Sequence, residues 1–246
     1  KNIFIVNAGI DGQSTYGHIH NFRYWFPKIS GLKVDYILFY VGINDFYIKH
    51  KNSYDDLILK EKNLKNLIKS KSIIYDIFRM TQGVLFANAY GLNHNISNEI
   101  NEFSFSNWVS KPYLNNHYDL MEEKLKSYEK RLNILCDETY NIGAKPIFVS
   151  QSSRRTYHYL DNKIIGIPFF ANLDGKKING LDYRIMIKMM NASLKKVAND
   201  RNAIFIDLEN ELEFDLKNDF YDNSHNTPLG SKKIGNYLYE KTKDLF

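Results

Sequence analysis

Four stretches of the chain are apolar without interruption: Ile3-Phe4-Ile5-Val6, Tyr36-Ile37-Leu38-Phe39-Tyr40-Val41, Pro146-Ile147-Phe148-Val149 and Ala203-Ile204-Phe205-Ile206. A strand with one face in water alternates apolar and polar residues, whereas a strand covered on both faces does not. These runs therefore predict strands buried within a parallel sheet. Between them the apolar positions change to helical spacing. From Leu125 they are Tyr128, Leu132, Leu135, Cys136 and Thr139, with Gly143 as the stop. A second helix carries Tyr183, Ile187, Met190, Leu194 and Val197. A third opens at Thr227-Pro228, an N-cap followed by a first-turn proline, and continues through Ile234, Leu238 and Leu245. Strands alternating with helices predict an α/β fold with right-handed crossovers.

Residues 46–124 break this rhythm. Asp55 to Ser72 reads as a polar helix, and Asn88 to Asn116 is rich in Asn, Ser and aromatics without a clear period. The whole stretch reads as an insertion capping one edge of the sheet, inside a single domain spanning 1–246. No internal repeat is present.

Composition narrows the possibilities. A hydrophobic content of 43% supports a large core and argues against disorder. The net charge of +5 comes from scattered lysines, with no basic block, so nucleic acid is not an expected partner. The single cysteine, Cys136, permits no intrachain disulfide and reads as a buried thiol. Metal-ligand spacing is absent: His18 and His20 stand two apart and read as surface residues, and His50, His94, His117 and His158 lack a supporting motif. No apolar run is long enough for a membrane span, and no signal peptide is evident.

Ligands of open α/β sheets bind beyond the carboxyl ends of the strands. Three polar loops stand there: Asn7 to Thr15, Gly42-Ile43-Asn44-Asp45, and Ser150 to Arg155. Gly12 can bring a backbone N–H close to a substrate, and Asn44 offers an uncharged amide donor. Two such donors aimed at one point form an oxyanion hole. Each taken alone equally describes a turn glycine and a loop hydrogen bond. Asp222 stands three residues before His225, a spacing that lets the carboxylate hold imidazole Nδ1–H and leaves Nε2 to act as a base. Alone, this spacing is common.

Taken in order, N-A-G-I-D-G-Q-S-T, G-I-N-D and D-N-S-H-N-T-P-L-G resemble the motif blocks of the SGNH (GDSL-like) hydrolases. The resemblance spans most of the chain apart from the insertion. It implies a flavodoxin-like three-layer α/β/α sandwich around a mainly parallel sheet. Gly12 and Asn44 become oxyanion donors, and Asp222 and His225 become members of a catalytic triad. It implies no metal or organic cofactor.

The family's nucleophile is a serine in a G-D-S or G-G-S block, on a strand preceding the Gly block. This chain contains neither tripeptide. The expectation is an N-terminal truncation, with the missing first strand, the serine, and an export signal or membrane anchor upstream. Ser14 stands where a helix starts and reads as an N-cap; Ser152 and Ser153 stand on the correct sheet edge without a nucleophile turn. Arg154, Arg155 and Tyr157 are candidates for binding a sugar or acid group, or else a solvated loop. Phe103, Phe105 and Trp108 are candidates for lining an acyl or sugar pocket, or else packing of the cap.

The expected activity is hydrolysis of an acyl ester, as in carbohydrate deacetylation, on a small-molecule or glycan substrate, with extracytoplasmic or membrane-anchored placement. Three alternatives are an O-acyltransferase, a non-catalytic glycan-binding module on the same fold, and a flavodoxin-like nucleotide or flavin binder. The last is disfavoured by the lack of a G-x-G-x-x-G or P-loop run.

Overall fold

The computed structural model describes residues 3–10, 12–48, 105–222 and 225–246, with Ile73, Ile77 and Thr81 between. The expected helix at 55–72, together with Phe103, His50 and His94, lies outside the described residues. The chain is mixed α/β, built on a small parallel sheet. Strands β1 (Tyr36–Phe39), β2 (Lys145–Val149) and β7 (Ile204–Ile206) lie in the order β1-β2-β7. Leu38 pairs with Ile147, and Ile147 with Ile204. Successive side chains of β2 go to opposite faces, as the pleat requires. Phe148 joins the cluster containing Leu132, Leu135, Met186 and Leu194, while Ile147 and Val149 join Ile206, Leu208 and Ile234.

The first cluster is supplied by α1 (Thr15–His20), α3 (Tyr118–Asn141) and α4 (Gly180–Asp200); α2 (Ile43–Phe46) is a single turn after β1. Met121, Leu125, Tyr128, Leu132, Leu135 and Thr139 recur at three- and four-residue spacing, so one face of α3 is buried along its length. Each such leucine is worth about 1.5–3 kcal/mol by burial. The helix ends where Gly143 takes φ +82°. Helix α4 opens with a reciprocal cap: Asn179 accepts from Leu181 N and Asp182 N, and Asp182 accepts from Asn179 N. Against the second cluster lie α5 (Leu208–Glu211) and α6 (Pro228–Thr242), the latter with Thr227 as N-cap and Ile234 inward.

Four points correct the sequence reading. Ile3–Val6 is not a strand: Phe4 and Ile5 are 91% and 90% exposed. A strand exists only by hydrogen bonding to a neighbour, and among the described residues β1 pairs on one edge alone, with β2. Nor is β1 buried along its length: Leu38 is 42% exposed. Helix α3 begins at Tyr118, inside the stretch assigned to the insertion, and Met121 belongs to the core. His18 and His20 are half-buried rather than surface residues, and their rings pack on Phe39 and Tyr24.

Two antiparallel hairpins fill the connection between β2 and α4. They are β3 (Tyr157–Leu160) with β4 (Lys163–Gly166), and β5 (Ala171–Leu173) with β6 (Lys176–Ile178). Their two-residue turns, Asp161-Asn162 and Asp174-Gly175, all have positive φ, the geometry that matches strand twist. Among the described residues no helix is long and apolar enough to cross a membrane.

Candidate active site

The loop entering α1 is fixed from beneath. Gly12 adopts φ +72°, and Gln13 N donates to Ile10 O at 3.1 Å. Ser14 caps α1 by accepting from Tyr16 N, so its hydroxyl serves the helix start. Asn44 Nδ2 donates to Gln13 O at 3.0 Å, joining the Gly12 turn to the turn after β1. An amide nitrogen carries two hydrogens, so this bond orients the group and leaves a second donor. Gly42, at φ +131°, sits where a Cβ would meet Tyr128 Oη at 3.2 Å and Gln151 Cγ at 3.3 Å. This close approach packs the end of β1 against the loop after β2.

Asp45 is the brace beneath Asn44. It is buried and accepts from Thr15 N at 3.1 Å, from Thr15 Oγ1, and from Arg131 Nη2 at 2.9 Å. Arg131 Nε also donates to Thr15 Oγ1 at 2.6 Å. Burial raises the Asp45 pKa, with the Arg131 charge and the Thr15 bonds pulling the other way. Nothing in the local sequence around Asn44 announces Arg131, which comes from α3.

The Asp222–His225 pair forms as the spacing suggested. His225 Nδ1 lies 2.8 Å from Asp222 Oδ2, and His225 N donates to Asp222 Oδ1 at 2.8 Å. The carboxylate thus bonds both the ring and the backbone of the same histidine. Both side chains are more than half exposed, 61% for His225 and 56% for Asp222. The loop is held at its two ends: Tyr221 N donates to His225 O, and Thr227 N to Asp219 O. Asp219 is itself buried and paired with Lys233 of α6 at 3.0 Å. Asn223 and Ser224 lie outside the described residues.

The loop after β2 lies beside this pair. Burial draws the Arg155 pKa down to about 10, and the Asp222 charge opposes that pull. Arg155 is therefore buried and within electrostatic reach of Asp222, whereas Arg154 is half-buried and lies over the Tyr157 ring. Ser153 is buried and donates through N and Oγ to Glu209, at 2.9 and 2.8 Å. Ser152 Oγ accepts from Arg154 N at 3.2 Å. Neither serine is presented as a nucleophile. Burial raises the Glu209 pKa against its Ser153 bonds.

Phe105 stacks on His158 with centroids 4.5 Å apart and meets Trp108 edge-on at 5.0 Å. Phe105 and His158, with Phe214, Asp215, Leu216 and Lys217, line a cavity of about 330 Å³. One more carboxylate was not anticipated. Asp182 accepts from Tyr113 N, Leu114 N and His117 Nε2, which makes His117 a tether for the segment before α3. Cys136 is fully buried, and burial pushes its thiol up to about 11. Among the described residues no group of three or more His, Cys, Asp or Glu could hold a metal ion.

The structure thus joins Gly12 to Asn44 through Gln13, joins Asp222 to His225 directly, and couples Arg155 to Asp222. Comparison with protein-family models, with curated proteins and with solved structures returns no match.

Proposed function

We propose that this chain carries the base, the orienting acid and the oxyanion donors of a serine esterase acting on an O-acyl group, such as the acetyl ester of a carbohydrate. The observation that carries the reading is the 2.8 Å bond between His225 Nδ1 and Asp222 Oδ2. It sets the tautomer in which Nε2 takes a proton from an attacking hydroxyl, and Asp222 stabilises the imidazolium that results. Asn44 Nδ2 and Gly12 N–H face the developing oxyanion. Water then releases the acyl group from the serine.

In this reading the nucleophile is a serine on a strand that would pair beside β1. In support, β1 has a neighbour on one edge alone among the described residues, Leu38 within it is 42% exposed, and Phe4 to Val6 stand in solvent. One added strand would give all three a partner. With it, the sheet would take the flavodoxin-like, three-layer form that the motif resemblance implies, with helices already on both faces of β2. Extracytoplasmic placement accords with a glycan ester as substrate.

The test uses the full-length protein and a short-chain nitrophenyl ester. His225→Ala abolishes turnover, and Asn44→Ala lowers kcat by about a hundredfold or more. Turnover retained by His225→Ala refutes the assignment.

A further inference from the structure

Two arginines converge on one aromatic ring at the start of β3. Arg154, in the turn after β2, and Arg184, on α4, place their guanidinium carbons 5.6 and 4.6 Å from the Tyr157 centroid. Arg154 also lies 6.0 Å from the Tyr159 ring, and an Arg184 Nη donates to Tyr159 Oη at 3.4 Å. Among the described residues the Nε of each arginine is buried without an acceptor, and neither guanidinium has a carboxylate within 4.0 Å. The Arg154 charge does act on the Glu209 carboxylate, which is already engaged by Ser153 N and Oγ, with Tyr157 Oη at 3.5 Å.

A protein interior normally supplies acceptors for such donors. Two cations sharing one ring, with no carboxylate within 4.0 Å of either guanidinium among the described residues, make a place suited to an oxyanion from outside. Both side chains are partly exposed, so their outer N–H groups can be reached. Tyr159, 52% exposed, offers an aromatic surface next to them.

The geometry points to an acidic-glycan subsite. Arg154 and Arg184 hold the carboxylate or phosphate of the sugar, and Tyr159 packs against its ring. The subsite deepens the esterase reading and rests on it for the reaction.

Binding tests the subsite independently of catalysis. The full-length protein is titrated by calorimetry or NMR with D-glucuronate, glucose 6-phosphate and glucose. At least one acid binds about tenfold or more tightly than glucose, and that preference falls about tenfold in Arg154→Gln and in Arg184→Gln, as expected for a charge-assisted hydrogen bond. Which acid binds identifies the oxyanion. Arg184→Lys, which keeps the charge without the fork, falls between wild type and Arg184→Gln. Unfolding midpoints confirm that each variant folds. Equal binding of all three sugars, or an acid preference untouched by either Gln variant, overturns the subsite. Wild-type turnover of an uncharged nitrophenyl ester is read alongside. If it is absent while Arg-dependent acid binding persists, the esterase reading falls and the subsite stands; the converse result removes the subsite alone.

Discussion

Replacing Arg131 by methionine would isolate the ion pair beneath the oxyanion loop. Methionine keeps an unbranched apolar stem and removes the charge. In the native chain Arg131 Nη2 lies 2.9 Å from Asp45 Oδ1 and Nε lies 2.6 Å from Thr15 Oγ1, with both charged side chains almost wholly buried. After the substitution, the Asp45 carboxylate keeps only its bonds from Thr15 N and Oγ1. Removing one partner of a buried ion pair costs about 3–5 kcal/mol, because the other charge remains desolvated. With a typical dependence on urea, this lowers the unfolding midpoint by about 1–2 M at neutral pH.

The pH dependence gives a sharper test. Burial already sets the folded pKa of Asp45 above its ordinary value despite Arg131. Without Arg131 it rises further. A carboxylate with a raised folded pKa favours the folded state when protonated. That contribution is complete below the unfolded pKa of about 3.9 and is lost as pH rises through the folded value. The deficit of Arg131→Met relative to wild type is therefore greatest above the folded pKa of Asp45 and shrinks as pH falls through it, where Asp45 takes up a proton. Asp45→Asn combined with Arg131→Met removes both charges and recovers part of the loss, without the pH dependence. A deficit under about 1 kcal/mol at neutral pH, or one of equal size above and below that pKa, would refute the reasoning.

Two further outcomes are expected. A Cβ at Gly230 would lie 2.2 Å from Asp219 O, a backbone atom that cannot swing aside; Gly230→Ala should therefore cost about 1–3 kcal/mol in urea unfolding. The same shift would displace the loop carrying Asp222 and His225, so ester turnover should fall with it, and an unchanged midpoint would count against this packing. Cys136, fully buried with its thiol pushed up to about 11, should resist a disulfide reagent in the native protein and react promptly in denaturant. Prompt native reaction would show that α3 opens locally.

The candidate site was only partly visible in one dimension. Asp222 and His225 stand three residues apart, so their hydrogen bond is a local matter and the spacing disclosed it. Asn44 and Gly12 became a pair only through the ordered motif blocks; the Gln13 carbonyl that joins them is a contact between separate loops. Arg184 was not anticipated, because it reaches Tyr157 from another element and no pattern of neighbours marks it. Asp182 resembles an ordinary N3 residue of a helix, yet it also holds a segment about seventy positions away. The turns at Asp161-Asn162 and Asp174-Gly175 did carry a readable hairpin signal that the strand-and-helix rhythm overshadowed.

The helices α3, α4 and α6 follow from the chain alone, because helical hydrogen bonds close within four residues and the caps Asn179, Thr227 and the stop Gly143 are local chemistry. Strands are different. Tyr36–Phe39, Lys145–Val149 and Ile204–Ile206 became a sheet because each found a partner in register, while Ile3–Val6, equally apolar, found none among the described residues. A strand's hydrogen bonds belong to its neighbour, so apolarity proposes a strand and only the folded arrangement grants it one.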